Sequence, residues 1–208
     1  GQGSQSLGML SDLSSNFSIV KNIFSEASDA LDLDLWKLVQ EDENALNQTE
    51  NTQPAMLAAG YATYKVLSNE TDLSPMCMAG HSLGEYTALV AANSLDYFEA
   101  VKLVRKRAGL MQSAVPSGTG AMAAILGLDD EKVIEICNQC NIAGVVEAVN
   151  FNSPGQVVIA GENEAVNKAC ESMKEVGAKR ALLLPVSVPS HCSLMHNAAQ
   201  EFSYSVDA

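Results

Sequence analysis

The sequence predicts an α/β protein in which a small ferredoxin-like subdomain is inserted into a larger one. Two observations lead to this prediction. The pentapeptide at 80–84, Gly-His-Ser-Leu-Gly, has the Gly-x-Ser-x-Gly pattern of a nucleophile elbow, a sharp turn that joins a strand to a helix. After a linker at 116–120, strand and helix patterns follow the order β-α-β-β-α-β, which is the ferredoxin-like arrangement. The predicted ranges are 1–117 and 186–208 for the large subdomain and 118–185 for the small one.

Helical patterns dominate the chain ahead of the elbow. From Asn16 as far as Leu31, apolar residues recur at helical spacing with acidic side chains on the other side. A second, short helix is predicted at 34–40. Pro54 suits the first turn of a long, buried helix that runs to Leu67.

The residues on both sides of Ser82 fit an elbow. The apolar run 76–79 is predicted to be the buried strand, and 85–92, which has good helix formers and no breaker, is predicted to be the helix. We expect that strand and helix pack too closely for a Cβ at either glycine of the pentapeptide. Ser82 would then lie at a helix N-terminus, where the N–H of Leu83 points at a developing oxyanion. The pattern alone is also compatible with a chance match in a loop.

After the linker at 116–120, the pattern changes from mainly helices to alternating strands and helices. Strands are predicted from short apolar runs bounded by turn residues, and helices from their caps and spacing. The predicted strands are 121–126, 145–150, 157–160 and 181–184. The predicted helices between them are 129–139 and 163–176.

Length and charge restrict the function classes. A chain of 208 residues can bury a substantial core. Its net charge of −13 argues against general nucleic-acid binding, because phosphate backbones are held by clustered Lys and Arg. No apolar run approaches the roughly 18 residues of a membrane span, and the first residues lack the basic and apolar regions of a signal peptide. We therefore expect a cytoplasmic monomer that binds neither nucleic acid nor membrane.

The cysteines and histidines do not predict a metal or redox site. The five cysteines are an odd number scattered through apolar segments, as in a reducing compartment. Cys137 and Cys140 form a Cys-x-x-Cys pair, but Cys137 falls near the end of a predicted helix, where the dipole disfavours a thiolate. His191 and His196 have a ligand-like gap, yet they lie too far from Cys140 for a zinc finger.

One arginine shares a helical stripe with apolar residues. In the helix predicted at 96–114, Ala100, Val104, Arg107 and Met111 recur at four, three and four residues. A guanidinium on this stripe must find an anion. The local pattern by itself favours a structural salt bridge, or a side chain that reaches water. The other cations of this helix are interpreted as a solvated face; they are Lys102, Arg105 and Lys106.

His191 is the best-placed base in the chain. It follows a predicted strand and a proline turn, late in the sequence. His81 abuts Ser82, so alternation at the end of a strand would point it away from the hydroxyl. His196 lies on a later helix that we expect to be exposed. A lone histidine is more often structural than catalytic, so both interpretations of His191 stay open at this point.

Five stretches of the chain together resemble a known family. They are Gly-Gln-Gly-Ser-Gln at 1–5, Gly-His-Ser-Leu-Gly-Glu-Tyr at 80–86, Arg107 ahead of Met111-Gln112, Val-Asn-Phe-Asn-Ser-Pro-Gly-Gln at 149–156, and Val-Pro-Ser-His at 188–191. In this order and at this spacing they resemble the bacterial malonyl-CoA:acyl carrier protein transacylases of fatty-acid synthesis. The resemblance covers essentially every residue of the chain.

This resemblance implies a large α/β-hydrolase-like subdomain, a small ferredoxin-like subdomain, and an active site in the cleft between them. It implies that Ser82 attacks the thioester of malonyl-CoA while His191 accepts the serine proton, and that the phosphopantetheine thiol of acyl carrier protein then takes the malonyl group. The backbone N–H groups of Gln2 and Leu83 are implied as the oxyanion hole, and Arg107 as the partner of the malonyl carboxylate. No metal or organic cofactor is implied.

Both ends of the chain depart from the family's pattern. Family members begin with a hydrophobic strand ahead of the 1–5 loop. They also continue beyond the histidine through further strands and helices, one of which supplies a main-chain carbonyl that orients the histidine. We therefore expect this chain to be a fragment truncated at both ends. Two alternative functions stay open: a serine esterase or thioesterase of the α/β-hydrolase type, and an inactive fragment that binds carrier protein.

Overall fold

The computed structural model describes residues 2–116, 118–186 and 188–206. Ser117 of the predicted linker, Ser187 ahead of His191 and Gly1 of the N-terminal loop lie outside the described residues. The chain divides into two compact units, Gly1–Gly109 and Leu110–Ala208. The subdomain boundaries predicted from the sequence stay predictions.

The described residues of the first unit form helices joined by loops and contain no strand. The helices that begin in it are α1 (Ser11–Asn16), α2 (Ser18–Leu31), α3 (Leu35–Glu41), α4 (Glu43–Leu46), α5 (Thr49–Glu70), α6 (Leu83–Ala91) and α7 (Tyr97–Ser113), the last of which continues past the boundary at Gly109. The helices predicted at 16–31, 34–40, 85–92 and 96–114 are confirmed. Their apolar stripes meet in one core, in which Val20 and Phe24 of α2 and Val101 and Val104 of α7 are fully buried.

Helix α5 begins earlier than the sequence predicts. Pro54 lies inside the helix, five residues after its start at Thr49, so its predicted place in the first turn is wrong. The missing N–H of Pro54 leaves the carbonyl of Glu50 without its usual donor. Arg105 Nη1 donates to that carbonyl at 3.1 Å instead. A side chain of another element therefore allows the helix to extend on both sides of the proline.

The strand predicted ahead of the elbow is not formed. Residues 76–79 have no strand pairing, and Met76 is fully exposed. An apolar run becomes a strand only when a neighbouring strand supplies the hydrogen bonds of a ladder. All four strands of the described residues belong to the second unit. The apolar pattern at 76–79 is therefore not sufficient to form a strand.

The second unit contains a four-stranded antiparallel sheet, which with the helices makes this an α/β protein. Its elements are β1 (Gly120–Leu126), α8 (Asp130–Cys140), β2 (Val146–Ser153), β3 (Gln156–Glu162), α9 (Asn163–Glu175), β4 (Arg180–Leu183) and α10 (His196–Val206). The strand order is β2-β3-β1-β4, and every neighbouring pair is antiparallel. The predicted element order β-α-β-β-α-β over 121–184 is confirmed.

The two faces of this sheet carry different partners. Side chains alternate along β1, so Ala123 and Ile125 join the core beneath α8 and α9, whereas Met122 faces the other way. On that second face Met122 packs with Val158 and with Cys192, the residue that follows His191. The sheet thus holds the histidine loop on the face opposite to its helices.

Cys137 lies in the last turn of α8, as predicted, and is buried. Burial, with smaller contributions from the neighbouring Cys140 and Cys170 thiols, raises the pKa of its thiol to about 12. A thiol that is protonated at neutral pH is not a redox nucleophile. The burial of Cys137 therefore gives no support to a redox site at the Cys-x-x-Cys pair. In the described part of the chain, no helix has the length and apolar character needed to cross a membrane.

Candidate active site

Ser82 occupies a strained turn at the start of α6. Its backbone has φ 54° and ψ −113°, a positive φ that residues with a Cβ rarely adopt. The turn is closed by Gly84 N–H, which donates to the carbonyl of His81 at 2.9 Å, and by Glu85 N–H, which donates to that of Ser82 at 3.2 Å. Such a conformation costs about 1–3 kcal/mol and persists only where its surroundings fix it. The sharp turn predicted for the elbow is present.

The two glycines of the elbow have different roles. A Cβ on Gly80 would lie 1.9 Å from the backbone carbon of Gly84 and 2.2 Å from the nitrogen of Glu85. At Gly84 nothing lies within 4 Å of an added Cβ, and its φ is not positive. The prediction of a close approach is confirmed at Gly80 and wrong at Gly84. The first turn of α6 crosses directly over Gly80, while Gly84 faces open space.

These two positions make a matched pair of substitutions. Gly80→Ala should destabilise the fold by at least about 2 kcal/mol, because its methyl group overlaps backbone that cannot rotate away. Gly84→Ala should be neutral or stabilise it by about 0.5–1 kcal/mol, because alanine is the better helix former. Urea unfolding of both variants measures the difference. Equal free energies of unfolding would contradict the close approach at Gly80.

The side chain of Arg107 reaches the hydroxyl of Ser82. Its Nη2 donates to Ser82 Oγ at 3.2 Å, and its Nη1 donates to Gln53 Oε1 at 2.9 Å. The guanidinium carbon lies 5.7 Å from the centre of the Tyr86 ring, within range of a cation–π contact. Burial lowers the pKa of this guanidinium, while the Tyr86 hydroxyl and Glu85 oppose that shift. An arginine keeps its charge nonetheless, because its ordinary pKa lies so far above neutrality.

Arg107 differs from the other cations of α7 in its partners. Lys102 pairs with Glu99 at 3.1 Å, and Arg105 approaches the Glu50 carboxylate to 3.7 Å and also donates to Asn51. Arg107 forms no ion pair with any Asp or Glu among the described residues. The structural salt bridge that the local pattern favoured is therefore not what holds this arginine. It is a partly buried cation beside a serine hydroxyl.

Gln2 extends this group of residues toward the N-terminal loop. Its side-chain Oε1 accepts a hydrogen bond from Gln53 Nε2 at 3.4 Å, and its Nε2 donates to Thr49 Oγ1 at 3.4 Å. Leu83, the other predicted oxyanion donor, is the first residue of α6, so its N–H belongs to the turn that has no intrahelical acceptor. The oxyanion-hole role of Gln2 and Leu83 stays a prediction.

A largely apolar cavity of about 520 Å³ borders the elbow. It is lined by Met56 and Gly60 of α5, by Gly80, and by Leu83 and Thr87 of α6. Neither Ser82 nor Arg107 lines it. The polar group at the nucleophile, and not this cavity, is therefore the candidate site.

His191 lies in the second unit, on a loop fixed to the sheet. It is exposed and has a positive φ of 70°. On one side of it Pro189 packs so closely that a Cβ on Gly120 would lie 2.3 Å from the proline ring. On the other side Glu147 accepts hydrogen bonds from the backbone N–H of Ser193 at 3.0 Å and from its hydroxyl at 2.5 Å. The loop is thus anchored to β1 and β2.

The positions of the three histidines can be compared with the sequence prediction, which is confirmed for the exposure of His196. His196 is the first residue of α10 and is exposed, as expected. His81 is exposed and directly precedes Ser82. Ser82 belongs to the first unit and His191 to the second, and the pairing of these two residues stays a prediction.

A family model identifies the chain as an acyl transferase. The model of the acyl transferase domain matches residues 1–207. The chain belongs to this acyl transferase family. The resemblance noted in the sequence is thereby confirmed at the level of the family, and the relatives below agree with it.

Two similar bacterial proteins have the same name. The malonyl CoA-acyl carrier protein transacylase of Haemophilus influenzae is 56% identical over 209 residues, which cover 100% of this chain and 67% of that protein. The protein of the same name from Escherichia coli K12 is 54% identical, over 98% of this chain and 66% of its own length. The chain thus spans about two thirds of the length of these relatives.

Solved structures of the family are also similar. A malonyl-transacylase in complex with its type II PKS acyl-carrier protein has a TM-score of 0.97 and 54% identity, covering 100% of this acyl transferase chain and 67% of that one. An acyl carrier protein S-malonyltransferase from Vibrio cholerae has a TM-score of 0.94 and 54% identity, covering 100% of this chain and 68% of that one.

Sequence reasoning missed two residues that the structure connects to the predicted site. Gln53 contacts Arg107, and Glu147 anchors the loop of His191. A signal for Gln53 existed, because it precedes the buried Leu57 by one helical turn and is a polar residue on an apolar stripe. For Glu147 no local signal existed, because its partner lies 46 residues later in the chain.

Proposed function

We propose that this acyl transferase moves a malonyl group from CoA to the phosphopantetheine thiol of acyl carrier protein. The observation that carries the proposal is the contact between the Arg107 guanidinium and Ser82 Oγ at 3.2 Å. A cation held beside the nucleophile, and paired with no carboxylate among the described residues, suits an acyl group that ends in a carboxylate. The names of the similar proteins support the same substrate.

The proposed first half-reaction acylates the enzyme. Ser82 Oγ attacks the thioester carbonyl of malonyl-CoA while His191 accepts its proton. The N–H groups of Leu83 and Gln2 donate to the oxyanion of the tetrahedral intermediate. The C–S bond then breaks, CoA leaves as a thiol with the proton from His191, and a malonyl-serine ester remains.

The second half-reaction reverses these roles. His191 accepts the proton of the phosphopantetheine thiol, and the thiolate attacks the ester carbonyl. The C–O bond breaks, Ser82 Oγ regains a proton from the imidazolium, and malonyl carrier protein is released. Every proton and bond is balanced by the two substrates and these two residues, so no metal or organic cofactor takes part in the proposed steps.

The wider setting of the reaction belongs to the same proposal. We infer the arrangement of the family, in which an α/β-hydrolase-like subdomain carries Ser82 and a ferredoxin-like subdomain is inserted into it. We also infer a monomer in the cytoplasm, which binds neither membrane nor nucleic acid. The five free cysteines are in keeping with a reducing compartment.

Labelled malonyl-CoA tests the proposal directly. The purified chain is incubated with it in the presence and absence of holo acyl carrier protein, and the label is followed. We expect label on the carrier protein and little free malonate. Release of malonate in both incubations would indicate a thioesterase, and label that stays on CoA would indicate a binding fragment.

Removing the guanidinium should affect malonyl transfer selectively. Truncating one member of a desolvated charge pair costs roughly 2–5 kcal/mol, so Arg107→Ala should lower kcat/KM for malonyl-CoA by about thirtyfold or more. Acetyl-CoA has no free carboxylate for the guanidinium to bind, so its turnover should hold steady or rise. Arg107→Lys should restore little, because a point charge cannot reproduce the planar two-bond fork. Steady-state kinetics with both thioesters give the malonyl-to-acetyl ratio.

Arg105 is the matched control, because it is the same residue type on the same helix. Arg105→Ala removes contacts to Glu50 and Asn51 and should lower the stability. Its malonyl-to-acetyl ratio should not change. Equal losses of both substrates in Arg107→Ala would mean that Arg107 is structural.

A further inference from the structure

We propose that Gln53 is a positioning residue, which fixes the Arg107 guanidinium for the acyl carboxylate and links it to the loop of Gln2. This inference rests on the proposed function, because it takes Arg107 as the partner of that carboxylate. Gln53 acts through Arg107 and does not touch the reacting atoms.

Because Gln53 is buried, losing its hydrogen bonds would cost free energy. Its side chain is fully buried in α5, where an amide without partners costs free energy. Its Oε1 accepts from Arg107 Nη1 at 2.9 Å, and its Nε2 donates to Gln2 Oε1 at 3.4 Å. With Thr49 beyond Gln2 and Ser82 beyond Arg107, one continuous chain of side chains connects the N-terminal loop to the nucleophile.

Two acceptors set the orientation of the guanidinium. Nη1 is bound by Gln53 and Nη2 by Ser82, and a planar group held at two nitrogens has little freedom to turn. The bond to Ser82 changes during the reaction, because Oγ becomes an ester oxygen when the serine is acylated. The bond to Gln53 persists. Gln53 is therefore the contact that keeps Arg107 oriented in the acylated enzyme.

The neutrality of Gln53 fits this role. A glutamate at the same position would form a charge-assisted pair with Arg107 and neutralise it. The acyl carboxylate would then compete with an internal carboxylate of higher effective concentration. An amide oxygen orients the cation but leaves its charge available to the substrate. Glutamine therefore positions Arg107 without competing with the acyl carboxylate for its charge.

The helix that carries Gln53 is itself fixed at this point. Pro54 follows Gln53, and the carbonyl of Glu50 that Pro54 cannot bond accepts from Arg105 Nη1 at 3.1 Å. Asn51 accepts from the same arginine and donates through Nδ2 to the Ala45 carbonyl at 2.9 Å. Helices α5 and α7 are therefore joined by two arginines two residues apart. Gln53 is rigidly placed against Arg107.

Two substitutions in the full chain test the proposal. Gln53→Leu keeps much of the volume and removes the hydrogen bonds to Arg107 and Gln2, and Gln53→Glu adds the competing carboxylate. We expect each to lower the malonyl-to-acetyl ratio of kcat/KM, by about tenfold for Gln53→Glu, mainly through a higher KM for malonyl-CoA. In the Arg107→Ala background, Gln53→Glu should lower the ratio no further, because residues that act as one unit are not additive.

Asn51→Leu is the matched control. It removes a buried amide on the same helix that contacts the neighbouring arginine. It should lower the melting temperature while the malonyl-to-acetyl ratio stays at the wild-type value. A merely structural role for Gln53 would give this same pattern.

The outcomes separate this inference from the proposed function. If Arg107→Ala abolishes the preference for malonyl while both Gln53 variants keep it, the positioning role is overturned and the proposed function stands. If Arg107→Ala leaves the preference intact, the assignment of Arg107 fails and the role of Gln53 fails with it. A lower ratio in both Gln53 variants, absent in Asn51→Leu and lost in the Arg107→Ala background, supports the proposal.

Discussion

Replacing Ser82 with alanine is expected to abolish transfer and to leave no malonyl group on the protein. The oxygen that forms the ester is lost, and removing the nucleophile of an acyl-enzyme mechanism reduces the rate by about 10⁴-fold or more. The fold should survive, because alanine keeps the Cβ and places no new atom in the strained turn. The lost hydrogen bond from the charged Arg107 costs about 1.5–3 kcal/mol, less than the usual stability of a folded domain.

Intact-mass spectrometry after incubation with malonyl-CoA alone measures this result. The wild-type chain should carry one malonyl group on the peptide that contains Ser82, and Ser82→Ala should carry none. Ser190, beside His191, provides the control: Ser190→Ala should keep the adduct. An adduct that persists in Ser82→Ala, or that maps to Ser190, would overturn the assignment of the nucleophile.

The structure gives a physical reason for the position of the Ser82 hydroxyl. Ser82 is held at a positive φ because α6 begins at the next residue and its first turn passes over Gly80 with no room for a Cβ. The hydroxyl that emerges from the turn meets the guanidinium of Arg107. Strain in the backbone and a partly buried cation therefore occur at the same point, as is common where a site is pre-organised.

Local sequence patterns predicted the elements that depend on local interactions. Helix α2 is amphipathic enough to be identified from its own residues, and the strands of the second unit are short apolar runs between turn residues. The same reasoning failed at 76–79, where the pattern of a strand is present but no partner strand pairs with it. A strand is a property of a pair, and one sequence window cannot supply its neighbour.

The candidate site shows the same division. The elbow was predictable because its glycines and serine lie within five residues. The start of α5 was not predictable in this way. The carbonyl of Glu50, which lacks a donor because Pro54 has no N–H, accepts a hydrogen bond from Arg105, 55 residues later. A local pattern marks Gln53 as a polar residue on an apolar stripe, but it cannot identify Arg107, 54 residues later, as the partner. Residues that orient a catalytic group are found from distant partners, which only the fold brings together.

The loop of His191 follows this rule as well. The sequence predicts a base after a strand and a proline turn, but the structure adds what holds it. Pro189 fits against Gly120 of β1, and Glu147 of β2 binds both donors of Ser193. A histidine between two such anchors has a backbone fixed by the sheet. The residue itself is exposed.

Replacing His191 with alanine should slow acylation of the chain by a factor of about 10²–10⁴, the usual contribution of a general base. Without the imidazole, the proton of Ser82 passes to water, and the hydroxyl attacks the thioester as a weak nucleophile. Stopped-flow measurement of CoA release on mixing with malonyl-CoA gives the acylation rate. The substitution should not unfold the chain, because the ring is exposed and the loop keeps its contacts through Pro189 and Ser193.

His196 provides the control for this last prediction. It is a second exposed histidine, five residues later, on the first turn of α10. His196→Ala should change the acylation rate by less than about twofold, because surface substitutions away from a site have small effects. Equal losses in the two variants would mean that the base was assigned to the wrong histidine. A large loss in His191→Ala alone would tie the sheet-anchored loop to the chemistry at Ser82, because a merely structural histidine would slow no step of acylation.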